Sequence, residues 1–247
     1  MTTPATEPLP PTTAAATGSV WEDMIDIFYA PTPVFERRRD GRFGIQLLVL
    51  TVLFIVLYFA TRPYLEPMYD AIWAQATDGI RKSNPNVTDE QLSKMQGVSE
   101  KFGVVSVALG TPFLVLGVAV VLWLVGKLFD SMLSFKQSMV VATMSQFPKL
   151  VDWVVMGVQG LLMNPASIDT MYSVKMTPAR FLGADAAPIM VALAGRLDLF
   201  LIWSTILIAI GLHVIGRVPM AKAAVAAAIA WFVGALPAVY GAVKQGG

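Results

Sequence analysis

Apolar residues fall along this chain in five long blocks, separated by short polar turns, one polar stretch and one mixed loop. A bilayer core of roughly 30 Å is crossed by about 20 helical residues at 1.5 Å each, so block length is weighed first. The first block, GIQLLVLTVLFIVLYFATRPY, is long enough and closes on Tyr58, Arg62 and Tyr64, side chains that favour the membrane–water interface. The second, GVVSVALGTPFLVLGVAVVLWLVGKLF, carries Gly103, Gly110, Gly117 and Gly126, where a neighbouring helix backbone can come close, and Pro112, where the helix can kink. The third, SFKQSMVVATMSQFPKLVDWVVMGVQGLLM, is longer than a straight crossing needs and is interrupted at Pro148. The fourth runs from Leu197 to Ile215, behind an apolar piece, AAPIMVALAG, that is too short to cross and reads as interfacial or re-entrant. The last, AKAAVAAAIAWFVGALPAVYGA, is dominated by Ala and Gly, which suits tight packing inside a bundle. The pattern predicts an all-α polytopic membrane protein with five transmembrane helices in a bundle, at about 44–62, 103–127, 137–162, 197–215 and 221–241.

The polar parts complete this layout. Residues 65–102 hold Thr88 and Gln91 at capping-box spacing and predict a helical hairpin outside the bilayer. Residues 164–185, with Pro165 and Pro178, predict a loop. Residues 1–18 are rich in Pro, Thr and Ala, have no apolar period, and predict a disordered tail. Ahead of the first span, Trp21, Met24, Ile25 and Phe28 recur at helical spacing opposite Glu22, Asp23 and Asp26, and Pro31 and Pro33 are expected to stop that helix. Residues 19–43 therefore read as an amphipathic segment. It either lies in the membrane interface, anchored by Trp21, Phe28, Arg37, Arg38 and Arg39, or packs on the domain.

Composition narrows the class of function. The chain is 55% hydrophobic and 14% charged, well below the charge of soluble domains, about 25%. It has no cysteine, which removes disulfides, thiolate chemistry and Cys-ligated metals, and a single histidine, which argues against a His-based metal site or triad. A net charge of +1 gives no field for nucleic acid, so none is expected as a partner. Neither a Gly-x-Ser-x-Gly nor a His-Glu-x-x-His pattern occurs, and the expectation is a non-enzymatic protein without a cofactor.

The charged residues inside or beside the apolar blocks are the candidate functional groups. Lys149 and Asp152 stand three apart on a helix and can share a face. A buried ammonium needs a partner, whether Asp152, Asp198 or a carbonyl freed by Pro148. The group reads either as a structural interhelical pair or as a polar ligand or ion site. Arg196 and Asp198 open the fourth block. Either Asp198 marks a helix start at the bilayer edge with Arg196 nearby, or the preceding apolar piece continues the helix and buries both. His213, near the end of that block, reads as a polar end residue, and Trp203, Ser204 and Thr205 could bond across helices.

Basic residues gather at Arg37, Arg38, Arg39 and Arg42, at Lys127 and Lys136, and at Arg217 and Lys222. All three groups share one side if the N-terminus is cytoplasmic, which predicts N-in and C-out. In this order, FYAPTPVFERRRDG, SFKQSMVVATMSQFPKLVDW and LDLFLIWSTILIAIGLHVIG, with a polar helical loop after the first span, resemble the Yip domain family of Ypt/Rab-interacting membrane proteins, bacterial-type members above all. The resemblance covers roughly residues 20–243 and implies a five-helix integral membrane protein with a cytosolic N-terminus and no enzyme activity. For a bacterial member it implies the inner membrane and no Rab-type GTPase partner. The expected partners are the lipid bilayer and other membrane proteins or further copies of the chain. A scaffold or accessory role is the leading expectation, with a transporter or channel component built around Lys149, Asp152 and Asp198 as the alternative.

Overall fold

The computed structural model describes residues 19–183 and 186–246. The disordered tail expected over 1–18 lies outside the described residues. All regular structure among the described residues is helical. Helix α1 (Val20–Asp26) starts on a capping box in which Ser19 and Glu22 satisfy each other's backbone amides. Pro31 and Pro33 do not merely end it: they open α2 (Pro31–Arg37), where the missing N–H groups would have had no helical partner anyway.

Helix α3 (Gly44–Thr61) turns Gln46, Leu50, Phe54, Tyr58 and Thr61 inward, while Ile45, Leu48, Val52, Val56 and Phe59 face outward. That is one apolar helix with two apolar faces, as a lipid-contacting span requires. Helix α4 (Glu66–Ser83) is polar and is joined by a short turn to α5 (Asp89–Lys127). The Thr88–Gln91 capping box is present, and Arg81 reaches Asp89 across the turn at 2.5 Å. Helix α5 has 39 residues, and Pro112 lies inside it without breaking it. At 1.5 Å per residue it is about 58 Å long, far more than a bilayer core, so its polar first third projects beyond the apolar part.

The third apolar block is divided. Helix α6 (Phe135–Met144) and helix α7 (Pro148–Leu162) meet at a turn over 145–147. Residues Ser138 to Met144 are all buried, which makes α6 the central helix of the molecule. The fourth block is also divided: α8 (Pro188–Arg196) and α9 (Leu199–Val214) are bent by 52° at Leu197–Asp198. Helices α10 (Met220–Val233) and α11 (Leu236–Gly246) close the chain. Three described stretches are long and apolar enough to cross a membrane, Gly44–Thr61, the apolar part of α5, and Met220–Lys244, and a fourth if α8 and α9 count as one crossing. The α6–α7 pair is not among them, because Gln146, Lys149, Asp152 and Gln159 dilute its apolar run.

The two ends of the bundle are fixed by long-range bonds. At one, called basal here, Arg39 donates to the Val214 carbonyl (3.0 Å), Gln137 donates to the Arg39 carbonyl (2.8 Å), and the Met132 amide donates to the Gly216 carbonyl (3.1 Å). The start of α3, the α5–α6 turn and the α9–α10 turn therefore sit together. At the other, distal end Leu65, Met68, Met156, Ile168 and Val174 form a small second core. There Arg62 stacks on Tyr69, 4.2 Å from its ring centre, and burial raises the Tyr69 phenol above its ordinary range, with Tyr58 adding to the rise and Arg62 opposing it.

Candidate functional site

Two clusters of buried charge stand out in a body packed mostly from apolar and small polar side chains. The first lies where the two broken helices face each other. Asp152 projects from the second turn of α7, and Asp198 is the N-cap of α9, each only 6% exposed. The Asp198 Oδ1 atom accepts from the amides of Phe200 (2.9 Å) and Leu201 (3.0 Å), so the carboxylate satisfies donors that the break in the α8–α9 path leaves open. Asp198 thus starts α9 and is buried there, while the preceding apolar piece forms a separate helix rather than continuing into α9.

The partner of both carboxylates is Lys175, which the sequence reading did not single out. Its Nζ lies 3.2 Å from Asp152 Oδ2 and 3.9 Å from Asp198 Oδ2. The loop after α7 delivers it through its two neighbours. The Val174 carbonyl accepts from Gln159 on α7 (3.0 Å), and the Met176 carbonyl accepts from the Leu199 amide on α9 (3.1 Å). Thr177 donates to the Ala194 carbonyl (2.7 Å) and holds the same loop against α8. With both flanking carbonyls tied, the lysine side chain reaches the carboxylates of α7 and α9.

The other expected members are placed differently. Lys149 sits on α7 one turn before Asp152 but makes no ion pair among the described residues, so its expected pairing with Asp152 gives way to Lys175. Arg196 makes no ion pair with Asp198 among the described residues, donating instead to the Trp231 carbonyl (2.7 Å) with its guanidinium 5.2 Å from the Trp231 ring centre. Three buried atoms stay without a hydrogen-bond partner here: Asp152 Oδ1, Asp198 Oδ2 and Arg196 Nε. Among the described residues no group of three or more histidine or acidic side chains converges as metal ligands.

The second cluster ties α1 to α2 at the basal end. Asp23 is fully buried, and Arg37 Nε donates to its Oδ1 at 2.7 Å while Arg38 pairs with its Oδ2. Arg37 also reaches Asp26 at 2.6 Å, and the Tyr29 hydroxyl donates to Asp26 at 2.6 Å. Gln46 on α3, with its amide oxygen toward Arg38 (3.1 Å), links the cluster to the first span. Arg37, Arg38 and Arg39 each direct guanidinium nitrogens to protein acceptors. Of the expected aromatic anchors, Trp21 is exposed, whereas Phe28 packs edge-on against Trp203 of α9, ring centres 5.6 Å apart. Ser204 and Thr205 donate within α9, to the Phe200 and Leu201 carbonyls, and His213 Nδ1 lies 2.8 Å from the Val218 carbonyl just beyond the helix end.

This is an all-helical, multi-pass membrane architecture in which the charges of the apolar helices lie near helix breaks and ends. The chain belongs to the Yip1 domain family, whose family model matches residues 25–241. No curated protein and no solved structure shows significant similarity to it. The family match takes in the whole Asp152–Lys175–Asp198 cluster and most of the candidate spans, and Yip1 family proteins are in general non-enzymatic membrane proteins.

Proposed function

We propose that this protein is a non-enzymatic membrane scaffold or accessory subunit that binds other membrane proteins, or further copies of itself, through the open face of α5. The observation that carries the reading is that Gly110 and Gly117, both exposed in the apolar part of α5, have nothing within 4 Å of where a Cβ would stand. With Ser106 one turn earlier, they leave notches on either side of the exposed Phe113 and Leu114, where a second helix backbone can settle closely. The chain crosses five times, α6 and α7 together making the third passage. Two contacts favour this: α6 starts beside the basal Arg39 carbonyl, and α7 ends where Gly160 abuts Tyr64 and Leu65 at the distal end. The N-terminus is cytoplasmic, because Lys127, Lys136, Arg217 and Lys222 crowd the basal end. The test is extraction of the tagged chain into native nanodiscs with mass spectrometry of what travels with it, repeated for Gly110→Leu/Gly117→Leu. The reading expects a stoichiometric companion that the double variant loses while its own melting temperature is kept. A chain that emerges alone in both forms sinks it.

The Asp152–Lys175–Asp198 group favours a second reading, a transporter or channel component, because broken helices with buried charge at the break are a recurrent way to build a substrate site. Solute or proton flux in liposomes that Asp152→Asn abolishes, with assembly unchanged, would carry that reading over the first.

A further inference from the structure

The segment 19–39 is more than a cap on the bundle. Phe28, at the turn between α1 and α2, meets Trp203, whereas Arg39, beyond the end of α2, meets the carbonyl of Val214. Trp203 stands eleven residues before Val214 on α9, which is about 16 Å of helix axis. Helix α2 therefore climbs alongside α9 in the same direction, and the α1–α2 turn lies about half a bilayer core below the basal end. Helix α1 descends to that turn from Asp23, which is held level with Arg37 and Arg38. Its outward face is Trp21, Ile25 and Tyr29, four residues apart and 65%, 62% and 72% exposed.

Most of the polar chemistry of this hairpin is closed within it, the exposed Thr32 at the start of α2 being an exception. A helix N-terminus normally leaves four amide donors unpaired, and α2 begins with prolines at its first and third positions, which removes two of them. In the turn itself the amides of Ile27, Phe28, Tyr29 and Ala30 all donate to carbonyls of residues 23–26. Tyr29 is the most exposed aromatic residue of the segment, yet its hydroxyl donates inward to Asp26, which Arg37 also holds. In water such closure is unnecessary; among acyl chains an unsatisfied group would cost several kcal/mol.

We infer that α1 and α2 form a re-entrant helical wedge in the basal leaflet, with Trp21, Ile25 and Tyr29 packed against lipid acyl chains and the Asp23–Arg37–Arg38 clasp holding the wedge shut at headgroup level. Acyl chains are the occupant because the face lies at bilayer depth and, apart from the Trp21 indole N–H at its headgroup end, presents no unbonded polar group for a protein partner. The wedge adds volume to one leaflet only, since the distal end carries the polar α4–α5 projection instead.

The absence of cysteine makes the test direct. Trp21→Cys, Ile25→Cys and Tyr29→Cys, each in the full chain, would carry a nitroxide in phosphatidylcholine/phosphatidylglycerol nanodiscs, with Asn86→Cys in the α4–α5 turn as the aqueous control. Accessibility to oxygen relative to a water-soluble nickel chelate is expected to rise from position 21 to 25 to 29, and all three are expected above position 86. Ile25→Cys leaves the Tyr29–Asp26 bond intact and guards against a tip disturbed by the label at 29. A flat profile, or nickel access at 25 and 29 equal to that at 86, overturns the wedge. Low access to both reagents also overturns it, since protein rather than lipid would then cover the face.

Discussion

The two polar clusters solve the same problem, charge inside an apolar body, in opposite ways. In the basal clasp one buried carboxylate meets two guanidinium groups, and all its charged partners come from residues 14 or 15 positions along the chain. In the Asp152–Lys175–Asp198 group two carboxylates share one ammonium, drawn from α7, a loop and α9, and two carboxylate oxygens keep no hydrogen bond. Arginine suits the first because its fork can meet both oxygens of a carboxylate, whereas a lysine is a point charge that serves one oxygen well and the next at a distance. The clasp is thus a closed structural device, and the deeper group is an open one with unmet capacity. The difference is chemical before it is functional.

Asp23→Ala should separate them most sharply. Removing the carboxylate that bridges Arg37 and Arg38 leaves Arg37 to Asp26 alone and takes from Arg38 its buried carboxylate partner. Truncating one member of a buried ion pair typically costs about 3–5 kcal/mol. A large drop in melting temperature in detergent is expected, and a near-unchanged value would mean that the arginines reach water and the clasp is not closed. Lys175→Met should cost less, roughly 1–3 kcal/mol, since Asp198 keeps its two amide donors and Asp152, deprived of its ammonium partner, can be neutralised by a proton. Adding Asp152→Leu to Lys175→Met should recover most of that loss, because a buried pair replaced by apolar side chains is often neutral. If the double variant is worse than the single one, Asp152 has another partner and the group is less open than its geometry implies.

The contrast also explains what could be read from sequence. The apolar blocks were legible because length and composition alone decide whether a helix can cross. Thr88 with Gln91 and Asp198 ahead of an apolar run were legible because capping is a local event. Ser134 with Gln137 has the same spacing and opens α6, yet it was hidden in a block read as one span, because the break at 145–147 depends on how α6 is buried. Asp23 was assigned outward with Glu22 and Asp26, as helical periodicity suggests for a charge. Its inward position needs Arg37 and Arg38 to fold back, and only the α1–α2 turn makes that possible. Lys175 had no legible mark at all. It lies in an aperiodic loop, and what places it is the pair of neighbouring carbonyls tied to Gln159 and Leu199.

The smallest expected effect is the most discriminating for the open cluster. Asp198 has two duties: its Oδ1 caps α9, and its Oδ2 contributes half of the charge shared by Lys175. Asp198→Asn keeps an acceptor where Oδ1 stands and removes only the charge, while Asp198→Ala removes both. The loss of the cap in the alanine variant should cost about 0.5–2 kcal/mol. The asparagine variant should stay within about 1 kcal/mol of the parent, since Asp152 then has Lys175 to itself and the pair becomes balanced one to one. Parallel thermal unfolding of the two variants in one detergent reads the difference. Equal losses would show that charge, not capping, is what Asp198 supplies, and the cluster would then be as closed as the clasp at the other end of α9.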